Sequence, residues 1–266
     1  MNILTAINRK YLPYFSAMIR SFAKHNKGEH TIYIATKEVD DGDIERYKAE
    51  GKLPTNLRFV PVAFRDEILK GAKTEARWPT EIYYRIFAAD FLPETVDRIL
   101  YLDSDMIING DLSELYHRPF NDNLFIATSN VYSRLLMRII QIKNGAKRNT
   151  VYANTGMLLM NIQALRKHQD FDAVLRYIKK KKCMLTLPDQ DVISTLYGDR
   201  IEIVENKIYN LSERAIRRHN RKNKEKIDEK WVDEHAKIIH YLSRNKPWKE
   251  GYSGILKGWY DEYKVE

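Results

Sequence analysis

The sequence predicts one large α/β domain, a mostly parallel central sheet with helices on both faces and a small C-terminal subdomain. Three observations carry that expectation. Short apolar runs alternate along the chain with longer segments whose apolar residues recur at helical spacing. At 266 residues the chain is long enough to bury a full core. Its apolar content is an ordinary 44%, with no internal repeat, low-complexity linker or Gly/Pro-rich hinge to divide it.

The elements follow in order. Residues 2–7 read as a buried strand, and 11–26 as a helix with Leu12, Phe15, Ile19 and Phe22 on one face and Pro13 near its start. Residues 30–36 alternate as a strand, 40–50 form a short helix, and 57–62 a further strand. A helix is expected over 80–92, with Thr80 as its cap and Pro93 ending it, before the strand 98–102. Beyond Asp105 the pattern loosens. Residues 124–128 and 155–162 read as strands, 131–143, 162–182 and 188–198 as helices, the last capped by Asp189. Residues 200–205 and 236–242 are late strands, and the main domain is drawn over 1–248, with 249–266 an aromatic tail of mixed charge.

The net charge of +9 implies attraction to something acidic: nucleic acid, an anionic membrane face or a phosphorylated substrate. The densest stretch is "RAIRRHNRKNKEKIDEK", 214–230. No stacking-aromatic motif of a nucleic-acid module accompanies it, so nucleic acid is not expected as a partner. That leaves a solvated face or loop, or an acceptor side that meets an anionic leaflet or a phosphorylated glycan. The single Cys183 excludes an internal disulfide and, with no Cys or His at ligand spacing, reads as an ordinary thiol. "MNILTAINRK" has no basic region ahead of its apolar stretch, and no apolar run approaches the roughly 20 residues that span a bilayer. The expected location is the cytoplasm, with peripheral contact at the inner face of the membrane.

Five segments carry chemistry. In "RILYLDSDMIING", Asp103 and Asp105 stand against the end of a strand that reads as buried. Two like charges so close repel, and burial adds to the cost, unless solvent or a cation reaches them. Residues i and i+2 of a strand share a face, and ligands of open α/β sheets bind beyond the carboxyl ends of the strands. Hard oxygen ligands suit Mg²⁺ or Mn²⁺, although Asp and Ser are also common turn residues. The first strand-to-helix junction, "TAINRKY", lacks both glycine-rich phosphate fingerprints, so it is either a plain turn or a site where Asn8 and Lys10 meet a nucleotide. "HYLSRNKPW" sets His240 at a strand end and Lys246 six residues on, a pair suited to a metal and a phosphate or to a surface loop; "ANTG" and "PDQD" add polar side chains beside apolar elements.

In combination these segments resemble glycosyltransferase family 8, whose members include glycogenin and bacterial lipooligosaccharide galactosyl- and glucosyltransferases. The resemblance runs from Met1 to about Trp248, on "RWPTEIYYRIF", "RILYLDSDMIINGDLSELY", "ANTGMLLMNI", "PDQD" and "HYLSRNKPW" in the family's order. It implies a GT-A fold and a retaining hexosyltransferase that moves glucose or galactose from a UDP-sugar to a glycan, lipid-linked glycan or glycoprotein, with Mn²⁺ or Mg²⁺ as cofactor. Carried over by position, Asp103, Asp105 and His240 hold the metal. Ala6 and Asn8 lie at the uridine, Ser104 at the donor, Arg85 near sugar and diphosphate, and Lys246 on the phosphates. Asn154 and Asp189 bind the donor sugar, with Gln190 beneath its reacting face. Two positions depart from the family pattern: Asn8 stands where an Asp is usual, and Ser243 where the last motif carries Gly. The competing readings are a non-catalytic nucleotide-sugar or acidic-polymer binder on the same scaffold, and a phosphoryl-transferring enzyme, for which the phosphate loop and kinase signatures are missing.

Overall fold

The computed structural model describes residues 1–64, 80–181 and 184–265. Strand β1 (Asn2–Ala6) leads through a single 3-10 turn (Arg9–Tyr11) into helix α1 (Leu12–His25), with Pro13 in its first turn, where a missing N–H costs no hydrogen bond. The apolar face of α1 is fully buried at Phe15, Met18, Ile19 and Phe22, each contributing about 1.5–3 kcal/mol by leaving water. Strand β2 (Thr31–Thr36), helix α2 (Asp41–Ala49) and strand β3 (Arg58–Ala63) follow. The side chains of Asp40 and Asp43 cap α2 reciprocally, each accepting from the other's backbone N–H.

A 3-10 helix (Thr80–Phe87) passes into α3 (Ala88–Phe91), then β4 (Arg98–Leu102), β5 (Met106–Ile108) and α4 (Ser113–His117). Strand β6 (Phe125–Thr128), helix α5 (Arg134–Asn144) and strand β7 (Asn154–Asn161) come next. Helices α6 (Ile162–His168), α7 (Phe171–Lys181) and α8 (Pro188–Tyr197) precede strand β8 (Ile201–Ile203). The C-terminal part holds α9 (Asn206–Tyr209), α10 (Glu213–Lys222), α11 (Glu229–His235), β9 (Ile238–His240) and α12 (Lys257–Tyr263).

The main sheet has seven strands in the order β3-β2-β1-β4-β7-β6-β8, and only β7 runs against its neighbours. Adjacent residues of β1 point to opposite faces: Leu4 enters one apolar cluster with Tyr101 and Leu158, Ile3 the other with Phe15 and Leu100. Both faces of the sheet are therefore covered, as the near-continuous apolar strands require. A third cluster gathers Ala17, Ile107, Ile239, Tyr252, Leu256, Tyr260 and Tyr263. Residues 249–263, read in sequence as a tail, are thus packed through their aromatic residues onto α1 and the two-stranded sheet β5-β9.

Several local expectations are corrected. The helix over 80–92 is 3-10 for most of its length, and five consecutive residues, Tyr83 to Phe87, are buried, so the segment is enclosed all round rather than amphipathic. The helix expected over 162–182 breaks at Gln169, where Asp170 accepts the N–H of Ala173 and opens α7. Its end at Lys182, and Cys183, lie outside the described residues, as do Arg77, Trp78 and Pro79. The late strand expected over 236–242 is β9, which pairs with β5 rather than joining the main sheet. Most of the basic stretch 214–230 is not a loop: it folds into α10 and the start of α11.

Candidate active site

The chain leaves β4 at Leu102 and turns through Asp103, Ser104 and Asp105 before β5 begins. The two carboxylates therefore converge from a turn and not from the pleat of one strand. The turn is pinned where the N–H of Asp103 donates to the carbonyl of Gly156 on β7, 2.9 Å away. β5 pairs antiparallel with β9, in a register that sets His240 opposite Met106, one residue beyond Asp105. Asp103, Asp105 and His240 can each direct one ligand atom so that all lie within 4.8 Å of one another. This donor set could hold a divalent cation.

The fit can be tested on hydrogen bonding. The backbone N–H of Gly156 donates to Asn154 Oδ1 (3.2 Å), so that atom is an acceptor. The atom of Asn210 that faces it at 2.9 Å is then the amide nitrogen, which leaves Asn210 Oδ1 to accept from His240 Nδ1 at 2.7 Å. His240 carries its proton on Nδ1, and its Nε2 lone pair points at Asp105 Oδ1, 3.1 Å away. That oxygen is buried and without a hydrogen-bond partner. Two lone pairs in such contact call for a proton or a cation between them, and the residues present fit a metal of the Mg²⁺ or Mn²⁺ type.

Two cations flank the carboxylates. Arg85, 7% exposed, reaches Asp103 (2.9 Å) and Asp189 (3.3 Å), donates to the carbonyl of Thr155 (2.7 Å), and stacks on the Tyr101 ring. Lys246 bonds the other oxygen of Asp105 and the carbonyl of Tyr241. The two aspartates are thereby set apart. Burial, with Asp105 adding, holds the Asp103 carboxyl above the usual range against the pull of Arg85. Burial acts on Asp105 in the same direction, but Lys246 outweighs it and holds that carboxyl well below the usual range.

Gly156 is required by space. A Cβ on it would stand 2.3 Å from His240 Cε1 and 2.9 Å from Asp103 Oδ2, so any side chain there displaces two of the three groups that could hold a cation. The remaining expected residues fall around this centre or behind it. Ala6 ends β1 at the same edge of the sheet, and Asn8 follows it with a buried Oδ1 that has no partner and does not cap the 3-10 turn. Ser104 is buried within the turn itself. Asn154 presents its oxygen inward to Asn210 and Gly156. Asp189 does not cap α8. It accepts from the Thr155 hydroxyl (2.6 Å), while the N–H groups of Thr186 and Leu187 go to Asp191. Asp191 also accepts from Asn144 and Tyr152, which makes it a structural carboxylate. Gln190 is half-buried on α8, and among the described residues nothing hydrogen-bonds its amide. Ser243 takes no left-handed backbone conformation, and its hydroxyl donates to the carbonyl of Asn245. The Gly-to-Ser departure therefore carries no backbone strain.

Sequence reasoning missed Asn210, Tyr101 and Thr155. Tyr101 donates to Asp103 Oδ1 at 2.8 Å and sits in a strand that reads as plain core. Asn210 lies in "IYNLSE", which carries no motif.

The fold matches that of solved glycosyltransferases. Against the galactosyltransferase LgtC in complex with donor and acceptor sugar analogues, the TM-score is 0.79 at 20% identity, covering 99% of this chain and 95% of that one. The architecture is thus that of the GT-A glycosyltransferases. The sequence profile named Glycosyl transferase family 8 matches residues 2–251, and the chain belongs to that family. Among curated relatives, a lipopolysaccharide 1,2-glucosyltransferase of Escherichia coli is 25% identical over 254 residues, 94% of this chain and 73% of that one. Glycosyltransferase GlyF of Streptococcus pneumoniae is 26% identical over 249 residues. The match takes in 93% of this chain but only 57% of GlyF, little more than half its length.

Proposed function

We propose that the protein is a retaining hexosyltransferase that moves glucose or galactose from a UDP-sugar to a hydroxyl of a glycan or lipid-linked glycan at the cytoplasmic face of a membrane. The observation that carries this reading is the orphaned Asp105 Oδ1 facing the His240 lone pair, with Lys246 beside it. Family membership and the printed activities of the lipopolysaccharide glucosyltransferase and LgtC support the choice of hexose.

Asp103, Asp105 and His240 would hold the cation, Mn²⁺ in preference to Mg²⁺ because one ligand is an imidazole. When bound, the cation supplies positive charge against the donor diphosphate and lowers the cost of its departure. The chain's own residues do the rest. Lys246 is placed to exchange its contact with Asp105 for one with a phosphate, and it stabilises charge that develops on the leaving group. Asn8, through its unpartnered oxygen, and Ala6 take the uridine, with Ser104 in the donor-facing turn. Arg85 holds Asp189 and Asp103 in register for the sugar, on whose other side Asn154 lies. Retention without a covalent intermediate is the reading supported by the occupancy of the neighbouring carboxylates: Asp191 accepts from four donors, and Asp189 meets Thr155 and Arg85. Gln190, free of partners, offers its carbonyl oxygen to positive charge at the anomeric carbon. The acceptor hydroxyl, positioned rather than activated, then attacks the anomeric carbon on the face the phosphate leaves: the C–O bond to UDP breaks as the new one forms, and the hydroxyl proton passes to the departing phosphate oxygen.

The test is transfer or slow hydrolysis of UDP-glucose and UDP-galactose with Mn²⁺ present. Turnover that is abolished by EDTA and absent in Asp105→Ala supports the reading. Donor-dependent thermal stabilisation with no turnover on either sugar would overturn it in favour of a binding protein.

A further inference from the structure

Helix α5 is exposed on its apolar side. Leu135, Ile139 and Ile142 recur at i, i+4 and i+7 and are 72%, 54% and 66% exposed, with Leu136 (46%) beside them. At 100° per residue these four fall within one arc of the helix, and Arg134 and Arg138 lie along one of its edges. The helix contains no carboxylate. A monomeric surface does not keep four large aliphatic side chains in one exposed stripe without a use for them.

The neighbouring helix supplies the second observation. On α10, Arg214, Arg217, Arg218, Arg221 and Lys222 line a single open cleft at i, i+3, i+4, i+7 and i+8 spacing. Like charges at i,i+4 destabilise a helix, and among the described residues no carboxylate pairs with any of the five. The one acidic residue of α10, Glu213, is turned inward to the Tyr252 hydroxyl and the N–H of Leu256. α10 approaches the start of α5 where Arg218 stacks on the ring of Tyr132, two residues ahead of that helix and 4.0 Å from the ring centre. Both leave the active-site edge of the sheet. β4 and β6 each run against β7, so Thr128 at the end of β6 lies at the same edge as Asp103; α10 begins three residues after Asn210, which bonds both Thr128 and His240.

We propose that the α5–α10 face docks on an anionic lipid bilayer, α5 seating its aliphatic stripe among the acyl chains and the α10 cations meeting lipid phosphates. An apolar stripe bordered by unpaired cations is the pattern of a helix that lies in a membrane interface. No helix among the described residues is long and apolar enough to cross a membrane, so the contact is a surface one. An acidic polysaccharide would be met by the arginines but has no use for Leu135 or Ile142, and a second copy of the chain would have to bring its own five cations to the contact. For its purpose the docking rests on the proposed transfer to a lipid-linked glycan, whose sugar would then stand at the mouth of the site.

Vesicle flotation tests it, with phosphatidylcholine vesicles containing about a third phosphatidylglycerol against pure phosphatidylcholine. The protein should float with the anionic vesicles and be released by salt. Leu135→Glu with Ile142→Glu should lower recovery roughly 10-fold or more at unchanged salt, and Arg217→Glu with Arg221→Glu by as much. All four side chains are exposed, so melting temperature and Mn²⁺-dependent UDP binding should not move in these variants. That second titration separates a failure of docking from a failure of the transferase reading. Equal recovery of the aliphatic double variant would overturn the proposal, as would its abolishing a dimer detected by sedimentation. Binding to an acidic polysaccharide without binding to vesicles would overturn it too.

Discussion

Asn210 determines what His240 can ligate. By holding the proton on Nδ1 it keeps the Nε2 lone pair free, and its own orientation is set from the Gly156 N–H through Asn154. Asn210→Ala should weaken Mn²⁺ binding about 10- to 100-fold, the usual cost of losing such a supporting partner, and should also lower the melting temperature without metal, because Thr128, Asn154 and His240 each lose a buried hydrogen bond. Calorimetric titration of Mn²⁺ measures it; unchanged affinity would show that the relay does not orient the ring. Gly156→Ala should be the more severe change although it adds one methyl, because the neighbours it meets are ligands rather than flexible side-chain ends. Activity should fall below detection with the fold intact by circular dichroism. Gln190→Ala should lower kcat by roughly 10- to 100-fold, about 1.4–2.7 kcal/mol of barrier, and leave the product α-linked by NMR. A covalent glycosyl-enzyme trapped on Asp189 would reassign that role. At this scale the sequence exposed the groups that the structure gathers, since Asp-x-Asp, His240 and Lys246 are legible by residue type and spacing. It concealed Asn210 and Tyr101, whose work is to hold another side chain, because a supporting hydrogen bond leaves no spacing rule behind.

Among the elements, those with long apolar periodicity were legible and those made by pairing across the chain were not. α1 and β1 to β4 follow from patterns within a dozen residues. β9 was legible as a late strand, but β5, with three residues too short for periodicity, was not, nor was the pairing of the two across more than a hundred residues. The helix α10 was hidden for a different reason: a stripe of like charges reads as a solvated run, while the Ser212 cap and the buried Ala215 and Ile216 that fold it are few. The packing of residues 249–263 has an energetic consequence. Leu256 is fully buried between β9, α1 and α12, so Leu256→Ala should cost about 2–5 kcal/mol in urea unfolding. A loss below about 0.5 kcal/mol, typical of surface substitutions, would mean that the segment merely lies on the domain.

For the molecule as a whole, folding and ligand binding should be linked. At a hundred times its dissociation constant, UDP with Mn²⁺ should stabilise the native state by about 2.7 kcal/mol. Thermal unfolding checks this: the shift should vanish in Asp105→Ala and be smaller for ADP. An equal shift for both nucleotides would remove the uridine-reading role of Ala6 and Asn8. The overall architecture was legible because alternating strand and helix patterns admit few arrangements once connections are right-handed. The reversal of β7 was not, since an apolar strand buried on both faces carries no mark of its direction.

The pairing of β5 with β9 also fixes a timetable. During synthesis Asp103 and Asp105 emerge long before His240, and until β9 is in place the carboxylates lack both the imidazole and Lys246. The three groups that could hold a cation come together only when the last strand docks, so a site of this kind would be completed late in synthesis, by the finished fold.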